Sequence, residues 1–169
     1  NQLELTENIL DTIFNNSFNS IVLLDKDSKI LKINDTSLKI LNQKESSIIG
    51  EKLSSLSWWK DSCKKNIDLE ISMASKGTNL QNKKTFIDSN GEEIFMDFSY
   101  TPIFNDNNEV IYIACEGHDI TQAELTRKSL EQYVKIVNEN ILISIADKDG
   151  FIIDLSDAYS KFTGYSKKE

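Results

Sequence analysis

S-I-V-L-L-D-K-D-S-K-I-L-K-I-N-D, residues 20–35, is an apolar run, an acidic turn and a second apolar run, and its pattern returns as L-I-S-I-A-D-K-D-G-F-I-I-D-L-S-D at residues 142–157. Asp25-Lys26-Asp27 and Asp147-Lys148-Asp149 are identical. Ile30 and Ile152 follow, then Asp35 and Asp157, then Lys39 and Lys161. One offset, 147 minus 25 or 122 residues, holds for every pair. That excludes a chance tripeptide, and it excludes a solenoid, whose repeats run roughly 20 to 50 residues. The chain reads as a domain and the opening of its duplicate: a leading helix in 1–17, a domain in 18–121, a connector helix in 122–140, and a second copy that begins at 141 and is cut short at 169. Tandem copies of a small domain point to a modular receptor rather than a self-contained enzyme.

Working outward, Leu3, Leu10, Ile13 and Phe14 fall at helical spacing and predict a leading helix. Ser20 to Asp25 and Lys29 to Asn34 flank the turn sequence Asp25-Lys26-Asp27-Ser28, which predicts an antiparallel hairpin. Asn34 or Asp35 caps a short helix through Asn42, and Ser46 to Leu56 is polar with isolated apolar anchors, the pattern of further short helices. From Lys60 to Lys76, the residues Cys63, Ile67, Ile71 and Ala74 give the longest internal helix, with Gly77 placed for a left-handed terminus.

After Gly77 the period changes to two. Lys83 to Asp88, Glu93 to Phe104 and Glu109 to Ile120 read as a three-stranded meander, parted by Ser89-Asn90-Gly91 and Asn105-Asp106-Asn107-Asn108. The last two strands are apolar on both faces, which predicts an outer sheet face covered by the leading helix or by another subunit. Thr121-Gln122-Ala123-Glu124 is a T-x-x-E capping box at the end of the last strand, so a helix is expected from Gln122. Its stripe of Leu130, Tyr133, Val134, Val137 and Ile141 needs a partner surface.

Composition bounds the function. A hydrophobic content of 39% over 169 residues suffices for a packed core. The net charge of -8 argues against nucleic-acid binding and against docking on an anionic membrane face. No apolar run reaches the roughly 20 residues of a spanning helix. Cys63 and Cys115 stand far apart without a C-x-x-C or Cys/His cluster, which reads as reduced, cytoplasmic and not metal-binding. Starting at Asn1 and stopping inside the second copy, the chain reads as a piece of a longer protein.

The order of these elements resembles the PAS domain, a sensory module of bacterial-type signalling proteins. The resemblance is carried by Asn34-Asp35, the meander turn Ser89-Asn90-Gly91, Thr101-Pro102-Ile103 and Glu116-Gly117-His118-Asp119-Ile120-Thr121, and it spans nearly all of 1–121. Trp58-Trp59 and Glu116 to Thr121 are similar to a subgroup with W-W before the long helix and an E-G-R-D-I-T ending, and Thr163-Gly164-Tyr165-Ser166 is a sequence common in the family. Asn42-Gln43-Lys44 departs from the usual G-Y-S, and His118 stands where arginine is usual. The resemblance implies an α+β fold: a five-stranded antiparallel sheet with short helices on one face, an N-terminal helix and a C-terminal connector. It further implies a homodimer, a possible small-molecule ligand, and a downstream histidine kinase or diguanylate cyclase domain of the same parent chain.

By family alignment the inward, ligand-pocket set is Val22, Leu24, Leu31, Ile33, Phe86, Met96, Phe98, Tyr100, Ile113 and Cys115, joined by Trp58 and Trp59, which point one inward and one to the rim. Asp119, Thr121 and Glu124 are the signal-transmission candidates. His118 is the only histidine and reads as a solvated strand-end side chain rather than a haem ligand. Cys63 lacks the N-C-R-F-like setting of a flavin adduct, so no cofactor is named. Neither a phosphate loop nor a nucleophile motif nor a catalytic carboxylate pair occurs. The readings left open are a ligand-responsive sensor, a ligand-free structural dimerisation module, and a small enzyme, the last opposed by an almost wholly apolar inward set.

Overall fold

The computed structural model describes residues 2–56, 59, 61–88 and 90–165, and the chain divides into two compact units, 1–121 and 122–169. In the first, α1 (Gln2–Asn15) leads to β1 (Ser20–Asp25), β2 (Ile30–Ile33) and α2 (Asp35–Leu41). Single 3₁₀ turns at Glu45–Ser47 and Leu53–Ser55 follow, then α3 (Asp61–Ala74), β3 (Leu80–Ile87), β4 (Glu93–Phe104) and β5 (Val110–Asp119). The strands form one five-stranded antiparallel sheet in the order β2-β1-β5-β4-β3. β3 begins earlier than the change of period suggested, because Leu80 and Gln81 already pair with Tyr100 and Ser99.

The hairpin turns share one device. Asp25 Oδ1 accepts the N–H groups of Asp27 and Lys29, both at 2.9 Å. Asp88 Oδ1 accepts those of Asn90 and Glu92 at 2.8 Å, and Asn105 Oδ1 those of Asn107 and Glu109 at 3.0 and 2.9 Å. Each turn then needs a left-handed residue, supplied by Ser28 (φ 69°), Gly91 (φ 83°) and Asn108 (φ 64°). The Glu92 N–H, with those of Asn90 and Gly91, holds the Asp88 carboxyl below the usual carboxylate range.

Asn34 caps α2 by accepting the Ser37 N–H, and Asn42 closes that helix at φ 49°. α3 faces the sheet with Ile67, Ile71 and Ala74, all buried. It ends where the N–H of Gly77 (φ 94°) reaches Ala74 O and that of Thr78 reaches Met73 O, at 2.9 and 3.2 Å.

Two expectations are corrected. Leu31 is 42% exposed, not inward. The register of β1 against β2 shifts between Leu23 and Leu24, opposite Lys32 and Ile30. Leu31 is thus the extra residue of a bulge, and Ile30 takes the inner place. Nor does α1 cover the outer sheet face: it has no buried residue, and Leu3, Leu5, Ile9, Leu10 and Ile13 stay exposed. Its C-terminal end is held by an Asp11–Lys32 ion pair and by Lys32 lying 5.1 Å from the centre of the Phe14 ring.

α4 (Thr121–Asn140) runs from the end of the first unit into the second, which adds β6 (Ser144–Ala146), β7 (Ile152–Leu155) and α5 (Asp157–Thr163). β7 and α5 start and stop 122 residues after β2 and α2. The bulge recurs between Ile145 and Ala146. Asp147 Oδ1 accepts the N–H groups of Asp149 and Phe151 at 2.9 Å, with Gly150 at φ 90°. Gly164 closes α5 in the left-handed region where Asn42 closes α2. The repeated sequence is a repeated hydrogen-bond pattern. No helix among the described residues is long and apolar enough to cross a membrane.

One close approach in the sheet tests the packing. A Cβ on Gly117 would stand 2.6 Å from Phe98 Cε1 and 2.8 Å from Met96 Cε. Both neighbours are buried, so neither can withdraw without disturbing the core. Gly117→Ala should cost about 1–3 kcal/mol in urea unfolding; an unchanged midpoint would show that the core yields at this point.

Candidate functional site

Alternation places Val22 of β1, Phe86 of β3, Met96 and Phe98 of β4 and Cys115 of β5 on the inner sheet face. Ile40 and Leu41 from α2, Leu53 from a 3₁₀ turn, Trp59 and Ser20 complete the wall of a cavity of about 30 Å³. Trp59 largely fills the space. Its indole is 4% exposed, Nε1 donates to Leu53 O at 2.8 Å, and its ring lies 6.1 Å from Phe86 edge-on and 5.5 Å from Phe98. The remaining void holds about a water molecule, against roughly 300–1,000 Å³ for a small-molecule pocket.

The structure therefore gathers Val22, Trp59, Phe86, Met96, Phe98 and Cys115 around one space. Leu24, Ile33, Tyr100 and Ile113 are buried in the same core but do not line it, and Trp58 lies outside the described residues. Ser20, Ile40, Leu41 and Leu53 were missed as lining. Their only signal was position, Leu41 on the apolar side of a capped helix and Leu53 as an isolated anchor.

Beside this cavity α3 and β3 share a buried ion pair invisible in the sequence. Glu70 Oε1 accepts from Lys84 Nζ and Asn82 Nδ2, each at 2.8 Å, and Oε2 lies 2.7 Å from the same ammonium. The Lys84 and Glu70 side chains are 6% and 11% exposed. The Tyr100 hydroxyl is buried near Glu70 and, among the described residues, meets no partner with full hydrogen-bond geometry. Burial, followed by Cys115 and Glu70, pushes its phenol well above the usual range. Burial likewise pushes the Cys115 thiol up to about 12, although Lys84 pulls the other way. Cys63 is a half-buried free thiol. His118 is exposed, its Nδ1 2.9 Å from Asn19 Oδ1. The described residues contain no cluster of three or more His, Cys, Asp or Glu able to hold a metal ion.

At the exit, Asp119 Oδ1 accepts the Thr121 N–H at 2.8 Å, and Thr121 Oγ1 accepts the Phe95 N–H at 3.0 Å. The Ile120 N–H reaches Phe95 O at 2.9 Å. Thr121 is the first residue of α4 rather than the residue before it, so its hydroxyl is used to tie the helix start to β4. Glu124 pairs with Arg127 at 2.8 Å.

The second unit has a larger but open hollow of about 300 Å³ between α4 and the β6–β7 hairpin, walled by Tyr133, Val134, Val137, Ile143 and Ile145 among others. Moved back by 122 residues, Tyr133 falls on Asp11 and Asp154 on Lys32. Where the first unit has an ion pair, the second has an apolar groove.

A family profile for the PAS domain matches residues 19–122. A hybrid signal transduction histidine kinase D from Dictyostelium discoideum is 35% identical over 117 residues, 66% of this chain. The chain spans 8% of that kinase's length. The crystal structure of the PAS domain of an HTR-like protein from Haloarcula marismortui superposes with a TM-score of 0.59 at 18% identity, covering 70% of this chain and 95% of that one. A PAS domain from a two-component sensor histidine kinase gives 0.55 at 16% identity, with 69% and 97% covered. At these identities the structural likeness speaks to the fold.

Two measurements check the energetics of this site. Because the Cys115 thiol titrates near 12 when folded and near 8.5 when unfolded, the native state keeps a proton that the unfolded chain has lost. Its contribution is complete below about pH 8.5 and disappears as pH rises toward about 12. The urea midpoint should fall over that window less in Cys115→Ala than in the parent, and iodoacetamide at pH 8 should label Cys115 only after unfolding. In the ion pair, Lys84→Met alone should cost about 3–5 kcal/mol, and adding Glu70→Leu should restore most of it; equal losses in the single and double variants would contradict the pairing.

Proposed function

The chain belongs to the PAS family, regulatory sensory modules of signalling proteins, and from that premise we propose that it is a non-catalytic sensory segment that passes its state along α4 to an output domain of the parent protein. Residues 18–121 are the sensing domain, and 141–169 open a second copy. The observation that carries this reading is the junction at Thr121, where one residue hydrogen-bonds β4 and starts a 20-residue helix. A shift of the sheet is thereby a shift of the helix root. The relative in Dictyostelium discoideum supports a histidine kinase as the output; a diguanylate cyclase would be served by the same junction.

The exposed apolar residues of α1 and the stripe of Leu130, Tyr133, Val134 and Val137 on α4 suit a homodimer in which these helices find partners. The net charge of -8 favours a cytoplasmic segment that meets neither nucleic acid nor an anionic lipid surface. A ligand would act only through its difference in affinity for two states, and driving the switch from 1:99 to 99:1 takes about 5.5 kcal/mol.

A second reading is favoured by one observation: with about 30 Å³ left beside Trp59, the core is nearly full, as a ligand-free dimerisation module requires. Native mass spectrometry of freshly purified protein separates the two, a retained small molecule supporting the sensor and a bare dimer the structural module. Transmission is tested in the full-length parent. Inserting Gly-Gly after Thr121 should leave the unfolding temperature of the domain unchanged and abolish regulation of the output; regulation that survives the insertion sinks the relay.

A further inference from the structure

Asn34 does more than cap α2. It is fully buried, and its Oδ1 accepts from the N–H groups of Ser37 and Ile21, both at 3.0 Å, and from Ser37 Oγ at 2.6 Å. Its Nδ2 donates to Phe14 O at 3.0 Å and to Asn19 O at 2.9 Å, using both hydrogens of the carboxamide. Phe14 O is one of the carbonyls left over at the C-terminal end of α1. One side chain thus joins α1, the link to β1, β1 itself and α2. α2 carries Ile40 and Leu41, and β1 carries Val22, all three on the cavity wall.

The duplicate supplies a natural comparison. At 34 plus 122 stands Ser156, whose Oγ accepts from the N–H groups of Ile143 and Tyr159 at 3.1 Å and donates to Ile141 O at 2.7 Å. Those are the counterparts of Ile21, Ser37 and Asn19 at the same offset. The helix carbonyl is the group dropped, since a hydroxyl has a single hydrogen: Ile136 O, the counterpart of Phe14 O, accepts from Asn140 Nδ2 at 2.8 Å. The helix is held there by Asn138, which donates to Asp157 Oδ2 at 2.7 Å and accepts the Asp157 N–H at 3.1 Å.

We propose that Asn34 is a positioning residue that carries displacements of α1 to the cavity wall through its carboxamide, and that a serine at this place keeps the local cap while releasing the helix. Calling such a displacement a signal rests on the sensory reading above; the coupling itself does not.

The test is NMR of the whole chain. In the parent, couplings across hydrogen bonds should link Asn34 Nδ2 to the carbonyl carbons of Phe14 and Asn19, and the absence of the Phe14 coupling overturns the proposal outright. In Asn34→Ser, the amides of Ile21 and Ser37 should stay protected while exchange in the last turn of α1 rises about fivefold. Asp11→Ala, which frees Lys32, should shift the Ile40 and Leu41 amides in the parent and leave them in place in the Asn34→Ser background. Equal shifts in both backgrounds, or an α1 as ordered with serine as with asparagine, refute the coupling; should Asn34→Ser not fold, the couplings in the parent still decide. Regulation that survives the Gly-Gly insertion removes the sensory reading and leaves these results standing.

Discussion

The pairing of β1 with β5 is the constraint on which the first unit depends. Ser20 to Asp25 lie against Gly117 to Tyr112, antiparallel and without a break, so strands almost a hundred residues apart in sequence form the middle of the sheet. Closing such a loop is entropically costly, and the apolar inner face of both strands is what offsets it. The pairing also has a geometric consequence. The start of β1 sits beside the end of β5, so the end of α1 and the start of α4 leave from the same end of the sheet. Asn19 marks the spot, donating to Glu116 Oε1 at 2.6 Å while its Oδ1 meets His118 Nδ1.

The interior of that sheet is packed on two principles that pull against each other. Around Trp59, Phe86 and Phe98 it is apolar and nearly void-free, which favours one rigid arrangement. A few residues away it carries the ion pair of Glu70 and Lys84 and the buried Tyr100 hydroxyl beside Glu70, groups whose removal from water is costly unless every partner is in place. An ion pair of this kind adds little net stability but allows few alternative alignments, because sliding α3 along β3 would strand both charges. The apolar part supplies the stability and the charged part the alignment of α3.

How much of this was legible follows from the range of each interaction. The turns at Asp25, Asp88 and Asn105, the cap at Asn34 and the left-handed terminus at Gly77 were readable because each is settled by a handful of consecutive residues. Strand faces were readable too, since alternation gives sidedness. Depth was not: Tyr100 and Phe98 sit on the same inner face, yet only Phe98 borders the cavity. Leu31 was misplaced because a bulge adds a residue without any change in composition. Glu70 and Lys84, fourteen residues apart, each look like ordinary surface residues until the helix is laid on the sheet. Cover of the outer face by α1 failed for a related reason: an apolar stripe on α1 shows that the helix wants a partner, and says nothing of which one.

The two copies separate what the fold requires from what it leaves free. Between residues 20–42 and 142–164 the turn, the bulge, the capped short helix and its left-handed end are the same in geometry, although Ser28 becomes Gly150, Asn34 becomes Ser156 and Asn42 becomes Gly164. Each exchange retains the capability the backbone needs there, a positive φ or a side-chain oxygen at the cap. The junction between helix and hairpin is not retained. Asp11 and Lys32, an ion pair in one copy, become Tyr133 and Asp154 beside an open groove in the other, and the carboxamide bond to the helix carbonyl gives way to Asn138 and Asp157. Hydrogen bonds that define the hairpin tolerate only equivalents, whereas the attachment of the preceding helix can be rebuilt with different chemistry at little cost to the fold. Where a stretch of chain is repeated in this way, the attachment of the preceding helix is the part left free to differ between the two.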